Sequence, residues 1–300
     1  MKVFIAGGTG FIGRRLSEFF LEKGYRVTVS GTRSTPWKSP SHGFQYIPAD
    51  LTREGPWQSV LSDSTIVINL VGKSIFHRWS DSYKREILSS RILTTRNIVD
   101  AIQPKDQTTL ISTSAIGYYG DRGDDLLNEE EHPGNDFLSE VALLWEEEAK
   151  KGEEKGVRVI CPRFGVVFGE TGGAVEKMVF PFKWFFGGPQ GKGSQWLSWI
   201  HLDDLCLAME FVIRNKSLRG PLNFCSPYPI QNKELSKLFG KILNRPSWIP
   251  TPGWVIRLAF GELGGTILSS QRCMPTRLLK EGYEFTYPDP EEAIRKSLRK

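Results

Sequence analysis

The sequence has 300 residues, of which 39% are hydrophobic and 24% are charged. This composition excludes a largely disordered chain, and the length suits one large α/β domain with a smaller lobe. The formal net charge is +5, but Lys and Arg are mostly interleaved with Asp and Glu, so the pattern predicts no nucleic-acid-binding surface.

The sequence also carries no sign of export, membrane insertion or metal binding. It begins directly with a predicted strand and has no apolar run of about 20 residues, so we expect a cytoplasmic protein without a membrane span. The cysteines lack Cys-x-x-Cys spacing and are expected to be reduced, and the scattered histidines predict no metal site. These residues are Cys161, Cys206, Cys225, Cys273, His42, His77, His132 and His201.

The first predicted strand, residues 3–6, runs into a glycine turn. Gly7, Gly10 and Gly13 are three residues apart, and a helical pattern follows. In dinucleotide-binding folds such glycines allow a tight turn, the approach of a pyrophosphate and close packing of the helix on the sheet. We therefore predict that the N-terminus of this helix holds phosphates. The alternative is a turn with no ligand.

The end of the second predicted strand, residues 26–30, indicates which dinucleotide is bound. An acidic residue here favours NAD, and a basic residue accommodates the 2′-phosphate of NADP. Thr32 and Arg33 follow this strand and no acid does, so the sequence predicts NADP(H). Alternatively, Arg33 is an ordinary exposed loop residue. Asp50 follows a third strand and either bonds the adenine amino group or caps the next turn.

Further along the chain, strand-like and helical stretches alternate, which predicts a Rossmann-type, doubly wound parallel sheet of the α/β class. We assign residues 1–168, completed by about 196–228, to an NADP-binding domain. Residues 169–195 and 229–300 are assigned to a smaller, loop-rich substrate lobe and C-terminal domain. The strand-like runs are 66–71, 109–113 and 157–161, the helical stretches are 80–101, 137–155 and 232–243, and residues 198–214 have the pattern of a strand followed by a helix.

Two further groups are candidates for the substrate side. The aromatic segment 179–186 forms a pocket wall, part of the core, or a surface for a partner or a membrane. The segments Pro162-Arg163-Phe164 and Trp199-Ile200-His201 end strands that we place at the same sheet edge. For His201, a core role and a functional role remain equally open.

Several motifs occur in the order found in the extended and atypical short-chain dehydrogenase/reductase superfamily, which the chain resembles. More narrowly, it resembles the "epimerase family" of sugar-nucleotide epimerase-like proteins that end in a domain of unknown function. The motifs are Gly7–Gly13, Asn69–Gly72, Ser112–Gly120, Pro162–Gly169, Trp199–Asp204 and, for the narrower group, Arg78-Trp79, Ser90-Arg91 and Gln271–Pro288.

The resemblance implies an NADP(H) site. Leu70 to Gly72 also end a predicted strand, at the sheet edge where ligands bind. Glu86 and Arg91 lie on the following helix, and the alternative for them is a surface ion pair. The contacts implied are Gly7, Thr9, Gly10, Phe11, Ile12, Gly13, Thr32, Arg33, Leu70, Val71, Gly72, Glu86 and Arg91.

The catalytic residues of the superfamily are only partly present. The resemblance implies a serine that holds the reacting oxygen, matched by Ser114, and a tyrosine in Tyr-x-x-x-Lys, but residues 136–146 contain neither Tyr nor Lys. A tyrosine with pKa near 10 is a poor base without a nearby cation. We therefore predict that Tyr118 or Tyr119, helped by Lys73, replaces the pair. Aromatic packing is the alternative role for both tyrosines.

These observations favour an NADP(H)-dependent oxidoreductase or epimerase-like enzyme. It would move hydride between nicotinamide and a small carbonyl or hydroxyl compound, with Ser114 holding the substrate oxygen and Tyr118 or Tyr119 moving the proton. The alternative is a catalytically inactive NADP(H)-binding sensor or scaffold that acts through a protein partner. The sequence identifies neither the substrate nor the oligomeric state.

Overall fold

The computed structural model describes residues 1–34, 42–103, 108–170 and 172–298. Its strands are β1 (Lys2–Ala6), β2 (Arg26–Gly31), β3 (Phe44–Pro48), β4 (Ile66–Asn69), β5 (Thr109–Ser112), β6 (Ser114–Ala115), β7 (Leu126–Leu127), β8 (Arg158–Phe164), β9 (Val166–Phe168), β10 (Trp196–Leu197), β11 (Trp199–His201), β12 (Gly220–Phe224), β13 (Ile230–Gln231) and β14 (Arg272–Cys273).

The α-helices separate these strands and fill the end of the chain. None of those described is both long enough and apolar enough to cross a membrane. They are α1 (Phe11–Glu22), α2 (Trp57–Leu61), α3 (Asp81–Ala101), α4 (Phe137–Lys150), α5 (Gly173–Lys183), α6 (Leu202–Arg214), α7 (Asn232–Leu243), α8 (Gly253–Phe260), α9 (Glu262–Leu268), α10 (Thr276–Lys280) and α11 (Pro290–Leu298), with 3₁₀ turns at Ile116–Tyr119 and Lys151–Lys155.

The main sheet is parallel and has the order β12-β8-β5-β4-β1-β2-β3, with β6 paired to β8. The chain starts in the middle at β1, moves outward to β3, and returns to β4 on the other side of β1. This reversal places a crevice beyond the carboxyl ends of β1 and β4, which is where ligands bind in open α/β sheets. The predicted fold class is confirmed.

Helices cover both faces of the sheet, as β1 illustrates. Successive side chains of a strand point to opposite faces. Val3 and Ile5 join an apolar cluster with residues of α1 and α6, whereas Phe4 and Ala6 join a second cluster with residues of α3 and α4. All four side chains are buried. Burial on both faces explains why the strands read as continuous apolar runs rather than alternating ones.

The segment 169–195 is more regular than the sequence indicates. Glycines around it suggested loops, but it contains helix α5, which continues through Pro181. The apolar side of α5 packs on α7, with the rings of Phe182 and Phe239 5.5 Å apart. Val175 and Val179 join the same cluster, which also includes Ile294 of α11. This tertiary packing, rather than local propensity, stabilises the helix.

Candidate cofactor and active site

The glycine turn between β1 and α1 has no room for side chains. Gly7 has φ +75°, and its N–H donates to the Ser30 carbonyl at 3.1 Å. A Cβ on Gly13 would lie 2.5 Å from Gly8 Cα and 2.8 Å from Gly7 O. The close approach of α1 to the turn therefore requires glycine at position 13.

The N-terminus of α1 is free to meet an anion. Gly10 is its N-cap residue, no side chain caps it, and its first turn contains no acidic residue. The unpaired N–H groups there carry partial positive charge. They face a cavity of about 760 Å³ lined by Thr9, Gly10, Phe11, Arg14, Arg15, Glu18, Arg33, Gly169, Glu170, His201, Leu202, Asp203 and Lys296. A phosphate-bearing ligand fits this cradle.

Arg33, which follows β2, lines this cavity. Thr32 and Arg33 are exposed. The Tyr46 hydroxyl donates to the carbonyls of Gly31 and Arg33, at 3.1 and 2.6 Å, and so fixes this backbone. Tyr46 was not predicted from the sequence, because its partners belong to another strand. Arg33 is thus placed to reach a charged group on a ligand.

Asp50 acts as a turn cap. Its Oδ1 accepts hydrogen bonds from the backbone N–H of Thr52 at 3.0 Å and from the Thr52 hydroxyl at 2.7 Å. The hydroxyl bond is the main reason why the pKa of this carboxyl lies below its usual value. Of the two roles predicted for Asp50, the structure displays the turn cap.

Phe11 fills a space that only glycines leave open. A Cβ on Gly173 would lie 2.7 Å from the Phe11 ring, and Cβ atoms on Gly169 and Gly172 would come within 3.0 and 3.1 Å of it. Ile12 instead points inward and packs against the core. The glycines after β9 therefore let the start of α1 meet this loop, beside the cavity.

The residues after β4 meet the glycine turn directly. A Cβ on Gly7 would lie 3.2 Å from the Leu70 carbonyl group and from Val71 Cγ2. The Asn69 side chain accepts the Val71 N–H at 3.1 Å, which fixes the path of this segment. The structure thus brings Gly7 together with Leu70 and Val71, as the resemblance implies for a common binding site.

The Arg91 guanidinium packs directly against Gly72. A Cβ on Gly72 would lie 2.9 Å from the Arg91 guanidinium, which donates to the Lys73 and Ile87 carbonyls. Burial lowers the Arg91 pKa to about 10. The guanidinium also lies 5.1 Å from the Trp145 ring. In this structure Arg91 holds the strand-end segment in place.

Glu86 and Lys73 form an exposed ion pair with 2.9 Å between Nζ and Oε2. The predicted alternative of a Glu86–Arg91 pair is therefore wrong, because Arg91 bonds to backbone carbonyls. The role predicted for Lys73 beside Tyr118 or Tyr119 stays a prediction. The Lys73 ammonium group lies against Glu86 and 5.4 Å from the Tyr83 ring on α3.

Ser114 belongs to a buried polar cluster. Its hydroxyl donates to Glu146 Oε1 at 2.6 Å. Arg163, which pairs with Ser114 in the β6–β8 register, donates to both oxygens of Glu146 at 2.8 Å. Burial opposes the charge on Arg163, but the Glu146 carboxylate more than compensates, so the Arg163 pKa is raised. The predicted serine therefore lies beside a bidentate ion pair in which Arg163 is buried and Glu146 is 13% exposed.

The two tyrosines occupy different positions in this cluster. Tyr119 is fully buried, and its hydroxyl donates to Asn223 at 2.7 Å and accepts from Arg163 at 2.9 Å. Burial raises the Tyr119 pKa far above its usual value, so this hydroxyl is poorly suited to proton transfer. The Tyr118 ring lies 3.5 Å from the Arg163 guanidinium, and its hydroxyl has no hydrogen bond within the described ranges. The cation beside the tyrosines is thus Arg163.

Glu146 was not predicted from the sequence, although it lies within residues 136–146, the segment that lacks Tyr and Lys. The buried residues Ala142, Trp145 and Ala149 mark the inner face of α4. Glu146 is four residues after Ala142 and next to Trp145, so helical spacing places it on that face. An acidic residue on a buried face needs a charged partner, and this signal points to Arg163.

His201 caps helix α6 at the wall of the cavity. Its Nδ1 accepts the Asp203 N–H at 3.2 Å, and its buried Nε2 has no partner among the residues described. Burial lowers the His201 pKa to about 4, against the opposing charge of Asp203, and Lys296 and Arg15 add to the lowering. The imidazole is therefore neutral at pH 7.

This burial predicts a loss of stability in acid. A histidine in the unfolded chain has a pKa near 6.5. Below that pH the unfolded chain therefore binds a proton at His201 that the folded chain does not bind. Stability should fall as pH drops from about 6.5 to about 4, by up to about 3 kcal/mol. Urea unfolding at several pH values should show a shallower decline for His201→Asn, which keeps a capping oxygen. An unchanged decline would contradict this assignment.

Two further observations concern the cysteines and metal binding. The four cysteines are buried and unpaired. Within residues 1–34, 42–103, 108–170 and 172–298, no group of three His, Cys, Asp or Glu side chains is arranged to hold a metal ion.

Comparison with known proteins confirms the resemblance. A family model described as the NAD dependent epimerase/dehydratase family matches residues 3–224, and a domain of unknown function, DUF1731, matches residues 251–297. Epimerase family protein YfhF of Bacillus subtilis is 36% identical over 299 residues, which cover 98% of this chain and 97% of the relative. The chloroplastic SDR39U1 homolog of Arabidopsis thaliana is 37% identical over 305 residues, covering 98% and 86%.

A solved structure agrees along nearly the whole length. Human epimerase family protein SDR39U1 (isoform 2), crystallised with NADPH, has a TM-score of 0.84 and 28% identity to this chain, covering 99% of this chain and 98% of the human chain. The family model spans most of the sequence and the relatives align over nearly all of it, so this protein belongs to the NAD dependent epimerase/dehydratase family.

Proposed function

We propose that this protein is an NADP(H)-dependent oxidoreductase or epimerase-like enzyme that acts on a small carbonyl or hydroxyl compound. The observation that carries the proposal is the uncapped N-terminus of α1, which faces a cavity edged by Arg33. Family membership supports a nicotinamide cofactor, and the NADPH complex of the human relative supports NADP(H) in particular. When bound, the nicotinamide would supply or accept hydride at C4.

Three groups of residues would bind different parts of the cofactor. The Gly7–Gly13 turn would hold the diphosphate, Arg33 the 2′-phosphate, and Leu70–Gly72 the neighbouring part of the cofactor. Residues 1–168 with about 196–228 would form the cofactor domain, and 169–195 with 229–300 the substrate lobe. One apolar cluster joins α5, α7 and α11 of that lobe and continues into Phe168 and Trp199 of the cofactor domain, so the two parts would pack directly on each other.

Ser114 would orient the substrate, and its hydrogen bond to Glu146 favours a substrate hydroxyl over a carbonyl. A serine hydroxyl has one proton, and Ser114 uses it to donate a hydrogen bond to Glu146. The oxygen therefore offers lone pairs, which suit a substrate hydroxyl as donor; a carbonyl would require the serine to leave Glu146. Tyr118, beside the Arg163 cation, is the proposed group for proton transfer.

Replacement of Arg33 tests the cofactor proposal. Arg33→Asp would exchange a charge-assisted hydrogen bond for repulsion, so NADPH affinity should fall by about 10- to 100-fold while NADH affinity changes little. Nicotinamide fluorescence titrations measure both. Arg26→Asp, at the opposite end of β2, is the matched charge control and should leave both affinities unchanged. Equal losses of NADPH and NADH affinity in Arg33→Asp would remove the 2′-phosphate assignment.

Replacement of Ser114 tests catalysis. With a substrate found in a panel of aldehydes, ketones and alcohols, Ser114→Ala should lower turnover by at least about 100-fold while NADPH affinity is kept. Ser112→Ala is a suitable control, because this buried hydroxyl has only a 3.4 Å contact with Asn69. Unchanged turnover in Ser114→Ala would exclude its catalytic role.

A second function, an inactive NADP(H) sensor or scaffold, is favoured by two observations. Lys73 is paired with Glu86 rather than with a tyrosine, and Ser114 is only 2% exposed. A sensor would bind NADPH, transfer no hydride across the panel, and change its partners or oligomeric state on binding. Any NADPH oxidation that depends on Ser114 would exclude this function.

A further inference from the structure

Large apolar side chains are exposed around the end of α5 and along α8. We call this group the aromatic surface. Scattered apolar residues are ordinary on a protein surface, but a large contiguous patch indicates a binding surface. Its members are between 45% and 76% exposed and are Phe180, Trp184, Phe185, Phe186, Trp248, Trp254, Leu258 and Phe260.

The aromatic surface combines two chain segments that touch. The Ile249 N–H donates to the Gly187 carbonyl at 3.1 Å, and the Thr251 N–H donates to the Pro189 carbonyl at 2.9 Å. The Arg245 guanidinium lies 4.6 Å from the Phe185 ring. The chain just after α5 and the segment leading into α8 are therefore direct neighbours, and we infer that their exposed side chains act as one surface.

The charge on these segments has one sign. Residues 177–195 and 235–261 contain no Asp or Glu. Glu176 and Glu262 flank them, and Glu262 is paired with Lys84 at 2.8 Å. Lys237 and Lys241 pair with Glu234 and Glu291. The remaining cations form no ion pair with other described residues, although Lys192 and Arg257 line a cavity together with Asp121 and Asp124. They are Lys177, Lys183, Lys192, Arg245 and Arg257.

We propose that the aromatic surface docks onto an anionic lipid membrane. Exposed Trp and Phe side chains insert at the level of the headgroups, and surrounding Lys and Arg attract anionic lipids. The apolar stems of those cations can lie along the acyl boundary while their charges stay in water. This property goes beyond the proposed enzymatic function and does not depend on it.

A second copy of the chain fits this surface less well. A twofold dimer brings the same patch of both subunits together. Here the cations of one copy would face those of the other, and these two segments offer no carboxylate to pair with them. Like charges in contact oppose association, whereas anionic lipid headgroups complement them.

The test is co-sedimentation of the full chain with vesicles. The protein should bind vesicles of equimolar phosphatidylcholine and phosphatidylglycerol, bind vesicles of phosphatidylcholine alone at least about tenfold more weakly, and be released from the anionic vesicles by high salt. Failure to bind the anionic vesicles, or equal binding to both compositions, would overturn the proposal.

Variants then locate the contact. Trp184→Ser combined with Phe186→Ser and Trp248→Ser should lower binding to anionic vesicles by at least about tenfold. Leu279→Ser with Lys280→Glu removes an exposed apolar residue and a cation from α10, which bonds to β12 through Arg277, and should bind like the wild type. Equal binding of the triple variant, with its circular dichroism spectrum unchanged, would overturn the proposal. The proposal would also be overturned if the wild type formed a dimer, or a complex with an acidic protein, that the triple variant loses and the α10 variant keeps.

Discussion

Gly13→Ala should abolish high-affinity cofactor binding and destabilise the whole domain. The added Cβ would lie 2.5 Å from Gly8 Cα and 2.8 Å from Gly7 O. Both neighbours are backbone atoms, so the clash can be relieved only by moving α1 away from the turn. Overpacking of this kind costs about 3 kcal/mol. Because the same movement displaces the N–H groups that face the cavity, NADPH affinity should fall at least about tenfold. Urea unfolding and fluorescence titration measure the two effects.

Gly265→Ala is the matched control for this substitution. Gly265 lies in helix α9, is exposed, and its Cβ would meet no atom within 4 Å. Alanine favours a helix over glycine, so this variant should be more stable by about 0.5 kcal/mol and should bind NADPH normally. Wild-type stability and affinity in Gly13→Ala would mean that the glycine turn does not have the described geometry.

Arg163→Met should cause the largest loss of stability among changes at the candidate active site. Arg163 is 2% exposed and donates to both oxygens of Glu146. Its removal leaves a largely buried carboxylate whose remaining hydrogen-bond partner among the described residues is the Ser114 hydroxyl. Loss of one member of a buried ion pair costs about 3 to 5 kcal/mol. Urea unfolding at pH 7 would measure the change in unfolding free energy.

The double variant separates the ion pair from simple packing. Arg163→Met combined with Glu146→Gln removes both charges, so it should cost less than the sum of the two single changes. Glu86→Gln, which breaks the exposed pair with Lys73, should not measurably shift the midpoint of unfolding. Additive costs for Arg163 and Glu146 would contradict the assigned coupling.

Features with a local cause were predictable from the sequence. The helix predicted over residues 232–243 has the same bounds in the structure as α7, because its apolar residues recur at helical spacing. The glycine turn was predictable for the same reason, since three glycines between a strand and a helix are a local pattern. Arg33 followed from its position after β2.

Features created by distant residues were not predictable in this way. Ser114, Glu146 and Arg163 are brought together only when β6 pairs with β8 and α4 packs over them. Lys73 lies only one residue beyond the motif Asn69–Gly72, yet its ion pair turns it toward α3. Helix α5 was hidden by glycines and Pro181, and its stability comes from packing on α7. Sequence spacing alone reports none of these contacts.

The most direct test of the proposed cofactor site is a side-by-side titration of the wild-type chain with NADPH and NADH, followed by nicotinamide fluorescence. We expect saturable binding of NADPH at least about tenfold tighter than that of NADH, because Arg33 has a phosphate to bind only in NADPH. Equal affinities would contradict the assignment of Arg33. Absence of binding by either dinucleotide would contradict the proposed cofactor site as a whole.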